Sequence, residues 1–156
     1  MIIAKNAKLT RVRYMKLLYK MGLLLSAGAG IWHFTVPYLY KWYSYIPDAP
    51  IEIIRSIDWI NYFFSLLLTG LSVILFVYAK RAFDQNKEAL VFYGFMVFVW
   101  FNRVIITIIL PWNYDILFAG QLAAFILIFV IQLIPLIHLV KACKQREQAD
   151  VKAGPE

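Results

Sequence analysis

The sequence is poor in the residues from which soluble enzymes build their sites. It has one cysteine, Cys143, so an intrachain disulfide is impossible and a cysteine-ligated zinc or iron–sulfur site has too few ligands. Its two histidines, His33 and His138, fall near opposite ends of hydrophobic stretches and cannot clamp one haem within a single chain. Charge is scarce as well: 16% of residues are Asp, Glu, Lys or Arg, against about a quarter in ordinary soluble domains. Acidic groups are the rarer kind, nine against 16 basic ones, for a formal charge of +7. Six prolines and seven glycines in 156 residues exclude collagen-like and proline-rich disordered chains. No Ser-His-Asp spacing, Walker loop or dinucleotide glycine motif occurs, so soluble-type catalysis has no warrant and catalytic residues stay unassigned.

What fills the chain instead is apolar: 62% of residues are hydrophobic and 17% aromatic, with a mean hydropathy of +0.68. A membrane-crossing helix needs about 20 mostly apolar residues at about 1.5 Å rise each. Four stretches meet that requirement, at about 17–40, 57–79, 89–110 and 116–140. Their connectors carry charges or turn residues, the last being the tight Pro111-Trp112-Asn113-Tyr114-Asp115. The expected fold class is therefore all-α, a polytopic four-helix transmembrane bundle. One domain covers 1–143, and a mobile cytoplasmic tail follows at 144–156.

Cation placement sets the expected orientation, because Lys and Arg in short loops resist translocation. One face collects Lys5, Lys8, Arg11, Arg13, Lys16 and Lys20, then Lys80, Arg81 and Lys87, then Lys141, Lys144, Arg146 and Lys152. The other has only Lys41 and Arg55. Both termini are expected in the cytoplasm, with the chain multi-pass in the cell membrane. The basic charge sits at helix mouths, where topology and anionic headgroups account for it, so the bilayer is the expected partner and nucleic acid is not. Ala27-Gly28-Ala29 looks like a cleavage site, but Lys20 interrupts the apolar run before it and the run continues past it, so the expected N-terminus is uncleaved. The 41–56 connector, with Trp42, Tyr43 and Tyr45, reads as an interfacial flap on the outer side.

Ionisable groups in hydrocarbon are costly and mark candidate sites. His33 and Arg103 each lie about seven residues from the outer end of a span, roughly 10 Å deep at the helical rise. Asp58 and Asn61 start the second span, and Gln121 lies early in the fourth. On the second span Asp58, Asn61, Ser65, Thr69 and Ser72 share an arc of about 80° at 100° per residue. On the first, Gly22, Ser26, Ala29, Gly30, His33 and Pro37 form a seam of small residues that allows close helix approach. Gln121 and Gln132 are nearly eclipsed on the fourth. The candidate ligand-binding residues are His33, Asp58, Asn61, Asn102, Arg103 and Gln121, arranged as an outward-opening polar pocket around an Asp58–Arg103 ion pair. No metal site is expected. The competing assignment gives these residues separate structural roles, with Arg103 snorkelling and Asp58 at the interface.

The run Ala29-Gly30-Ile31-Trp32-His33-Phe34, followed by Pro37, Tyr40, Pro47 and Pro50, resembles the AG-x-x-HF-x-x-P-x-x-Y … P-x-x-P pattern of the DoxX-like group of small four-helix membrane proteins. The likeness is specific over some twenty-five residues. That group usually has an acidic residue early in its second helix and a Gly-rich stretch after it; here Asp58 and Asn61 stand at a different spacing and Gly70 follows alone. The resemblance implies a bacterial inner-membrane protein loosely tied to membrane redox complexes, with a quinone as the implied cofactor and a redox subunit as the implied partner. It carries over His33, Phe34, Pro37 and Tyr40 as motif positions, with Pro37 ending or kinking the first helix and turning His33 inward. Three functions stay open: a quinone-like small-molecule binding or accessory subunit of a membrane oxidoreductase, a small-solute transporter acting as a homo-oligomer, and an assembly protein with no ligand.

Overall fold

The computed structural model describes residues 2–111 and 116–153, and the described residues are helical with short connections. Most of the expected tight connector, 112–115, and the end of the tail, 154–156, lie outside the described residues. Six α-helices run in order: α1 (Ile2–His33), α2 (Val36–Leu39), α3 (Ile51–Val77), α4 (Ala79–Phe83), α5 (Lys87–Ile109) and α6 (Ile116–Ala153). Three of them, α3, α5 and α6, are long and apolar enough to cross a membrane. Only 28%, 33% and 28% of their most apolar windows are buried inside the protein, so most of that apolar surface faces outward. Water would penalise such a surface and lipid would not.

The boundaries differ from the sequence expectation in three places. The first apolar stretch does not run unbroken to residue 40: α1 ends at His33, and α2 starts after two residues with Pro37 in its first turn. Proline has no N–H, so it cannot donate to the carbonyl four residues back, that of His33, and the helix divides there. At the other end α6 continues as helix to Ala153, beyond the apolar stretch that ends near 140. The connector after α2 is compact, with a 3₁₀ turn at Trp42–Tyr45 entered through Lys41 in the left-handed region at φ 50°. Ile51 to Ser56, expected in the connector, already belong to α3. At the other end Asn86 caps α5, its Oδ1 accepting from Ala89 N at 2.8 Å.

Helix α1 packs against both α3 and α6, and α5 packs against α6, while α3 and α5 touch little. The small-residue seam accounts for this central place. Gly30 faces α3, where a Cβ would come within 2.9 Å of Thr69 N. Gly22 faces α6, where a Cβ would come within 2.5 Å of Gln132 Cγ. Between these contacts sits a buried polar knot. Gln132 Nε2 donates to Gly22 O at 3.1 Å and to Ser26 Oγ at 2.9 Å, Trp100 Nε1 also donates to Ser26 Oγ, and Tyr93 Oη donates to Gln132 O at 2.9 Å. Buried polar groups need such partners, and across helices they fix register. Tyr19 stacks on Tyr93 at 4.1 Å and donates to Leu75 O, tying α1 to α5 and α3.

The serine stripe of α3 turns inward as its arc predicts, but it forms no open path. Ser65 and Ser72 are fully buried and donate to carbonyls of their own helix, Asn61 O and Leu68 O, at 2.6 and 2.7 Å. Their small, self-satisfied side chains let α1 approach α3 closely.

Candidate functional site

Because Pro37 cannot donate to it, the His33 carbonyl at the end of α1 needs another donor, and Asn61 on α3 supplies one. Asn61 Nδ2 donates to His33 O at 3.0 Å, which leaves Asn61 Oδ1 facing the imidazole, 3.1 Å from Nδ1. An acceptor at that place requires the ring proton on Nδ1. Nε2 is then an acceptor, and it faces Arg103 Nη2 of α5 at 3.5 Å, the outer limit of a hydrogen bond. Phe64 meets the ring edge-on with centroids 4.9 Å apart. One histidine thus links three helices, its tautomer set by Asn61 and its open nitrogen turned to a cation.

The Arg103 guanidinium is otherwise held by an aromatic face, lying 4.9 Å above the Phe125 ring of α6. The expected Asp58–Arg103 ion pair is not formed. Among the described residues the ion pair recorded is Lys87–Glu147, at the opposite end of the protein. Asp58 Oδ1 instead accepts from the hydroxyl of Tyr43, in the connector that precedes α3. A periodicity argument places residues of helices only, and so it could not supply a partner from a loop.

Next to His33 and Arg103 is a cleft of about 300 Å³ between α3 and α5, on the side where those two helices barely meet. Its polar groups are His33, Asn102 and Arg103; its walls are aromatic, including Trp32, Phe64, Phe98 and Trp100. Asn102 spends its Nδ2 on Phe98 O of its own helix, at 2.8 Å. The size and the balance of many apolar surfaces with few polar groups are those of small-molecule sites.

Of the six sequence candidates the structure brings His33, Asn102 and Arg103 to the cleft, with Asn61 behind His33 as its positioning residue. Asp58 belongs to the Tyr43 contact. Gln121 lines an adjoining groove of about 600 Å³ between α1 and α6, which includes Gly28 and Tyr40 and shares Ala29, Trp32 and Phe125 with the cleft. Sequence reasoning missed the aromatic walls, although a signal for them exists: Phe95, Phe98, Asn102 and Ile106 recur at helical spacing on one face of α5. No cluster of three or more His, Cys, Asp or Glu suited to a metal occurs among the described residues.

The altered pairing of Asp58 gives two expected results. Stability changes for Asp58→Asn and Arg103→Gln add within about 0.5 kcal/mol in an unfolding cycle, while Asp58→Asn and Tyr43→Phe couple by about 0.5 kcal/mol or more. The Tyr43 hydroxyl is also pushed up to about 12 from the usual 10.0, by partial burial and then by the hydrogen bond and charge of Asp58. Below pH 10 the phenol is protonated in folded and unfolded chains alike and its contribution to stability is whole; that contribution is lost as pH rises through the folded value. The difference absorbance between wild type and Tyr43→Phe stays free of phenolate signal until pH nears 12.

Fold and site together define an all-helical protein with three helices able to cross a membrane and a lateral aromatic cleft ending on a histidine and an arginine. No family model, curated protein or solved structure matches the chain.

Proposed function

We propose that the protein is a four-span membrane protein of the DoxX-like type, with both termini in the cytoplasm of a bacterium, that binds a quinone-like amphipathic molecule as an accessory subunit of membrane redox chemistry. The observation that carries this is the cleft between α3 and α5. A flat ring fits between aromatic walls, and its carbonyl oxygen meets the N–H groups of Arg103 beside His33. The opening lies between two outward-facing apolar helices, so a lipid-soluble ligand enters from the side without crossing water.

The fourth span in this topology is α1. Its apolar part from residue 17 is short and carries Lys20, yet it packs between α3 and α6 along its length. The positive-inside distribution of Lys and Arg supports cytoplasmic termini. The transport alternative is disfavoured by α3, whose buried serines are satisfied by their own helix.

The test is mass spectrometry of small molecules extracted from the protein purified in mild detergent. A quinone or similar lipid-like compound is expected in wild type, lost in His33→Ala and Arg103→Ala, and retained in Asp58→Ala, which lies outside the cleft. An empty wild type with equally stable variants overturns the binding function in favour of assembly alone.

A further inference from the structure

A second cavity, of about 690 Å³, lies at the other end of the molecule between α1, the α4–α5 turn and α6. Three cationic side chains line it, Arg11 of α1 and Lys141 and Arg146 of α6, with His138 beside them. No Asp or Glu is among its lining residues, and Glu147, the carboxylate next in sequence to Arg146, is taken by Lys87 at 2.7 Å. None of Arg11, Lys141 and Arg146 forms an ion pair with a described residue. Like charges gathered without counter-charge repel one another, so the convergence favours an anion between them.

Two further features narrow the anion. Phe83, Leu139 and neighbouring apolar groups make part of the wall, so the ligand has an apolar portion beside its charge. Gln85, held in the left-handed region at φ 64°, also lines the cavity, and its Oε1 is buried with no hydrogen-bond partner. A phosphodiester has no donor of its own to offer that oxygen, whereas a hydroxyl on its headgroup does. The cavity lies where the apolar part of α6 gives way to its charged end, at the depth of lipid headgroups.

We infer that this cavity binds the phosphodiester of an anionic glycerolipid, with the phosphate among Arg11, Lys141 and Arg146, a headgroup hydroxyl donating to Gln85 Oε1, and acyl chains leaving along the apolar wall. The site is independent of the aromatic cleft.

Native mass spectrometry of the delipidated full chain in detergent tests this, with phosphatidylglycerol, phosphatidylcholine and inorganic phosphate as probes. Phosphatidylglycerol is expected to bind at least tenfold more tightly than phosphatidylcholine. Each cation near a headgroup contributes about fivefold, so Lys141→Gln with Arg146→Gln weakens phosphatidylglycerol by roughly tenfold or more. Both side chains are exposed, so the double variant keeps its helical circular dichroism, and Lys41→Gln at the opposite end leaves binding unchanged. Gln85→Leu weakens phosphatidylglycerol and leaves phosphatidylmethanol, a phosphodiester with no headgroup hydroxyl, unaffected. Equal affinity for the two phospholipids, indifference to the double variant, or displacement by millimolar inorganic phosphate overturns the inference.

Discussion

Arg103→Leu raises the dissociation constant for a short-chain ubiquinone by about 10- to 100-fold, the loss expected for about 1.5–3 kcal/mol of charge-assisted hydrogen bonding. The measurement is quenching of tryptophan fluorescence, since Trp32 and Trp100 both line the cleft. The size of the effect follows from how little else the guanidinium holds. It has five N–H donors, yet among the described residues its contacts are one distant approach to His33 Nε2 and the face of Phe125. No described carboxylate pairs with it. A cation so placed among apolar helices gains from an oxygen ligand what it does not receive from the protein. Arg103→Lys keeps the charge but loses the planar fork, so it recovers only part of the affinity. Asn61→Leu weakens binding by a different route, because it releases the His33 carbonyl and the Nδ1 proton together. Unchanged quenching in Arg103→Leu removes the cleft from consideration as a quinone site.

The helical content, three of the four expected apolar spans and the inward faces were legible because each rests on periodicity, which side-chain chemistry alone encodes. Gly22, Ser26 and Gly30 on α1, and Ser65 and Ser72 on α3, lie where their spacing put them. Gln132 proved fully buried, as its register with the bundle interior implied. Partnerships between helices were less legible. His33 and Arg103 share a depth, and so do Asp58 and Arg103, but depth does not say which neighbours stand side by side. The order α3–α1–α6–α5 decides that, and it turns Arg103 to His33 while leaving Asp58 to Tyr43. Gln121 shows the same limit: it is at the expected depth, yet it lies on the α1–α6 side. The cleft itself was invisible in the sequence because it arises from a contact that two helices do not make.

Gly30→Ala, a change of one methyl group, is expected to separate α1 from α3 and to lower stability by about 1–3 kcal/mol, the usual cost of overpacking. The reason is what stands opposite. A Cβ at Gly30 would lie 2.9 Å from Thr69 N and 3.2 Å from Ser65 O, and both are backbone atoms of α3 that no rotamer change can move. Gly28 is the internal control: nothing lies within 4 Å of a Cβ there, so Gly28→Ala, in the same helix and half a turn away, stays within about 0.5 kcal/mol of wild type. Thermal unfolding in detergent, read by circular dichroism, compares the three proteins. The consequence reaches the site. Gly30 is one turn before His33 on the same α1–α3 interface, so a forced gap there stretches the 3.0 and 3.1 Å contacts between His33 and Asn61. Ligand affinity in Gly30→Ala therefore falls along with stability. Gly22→Ala crowds the α1–α6 contact through the movable side chain of Gln132 instead, so it costs stability while His33 keeps its partners and the cleft its affinity. If Gly30→Ala and Gly28→Ala prove equally stable, close α1–α3 packing is not what holds the histidine in place.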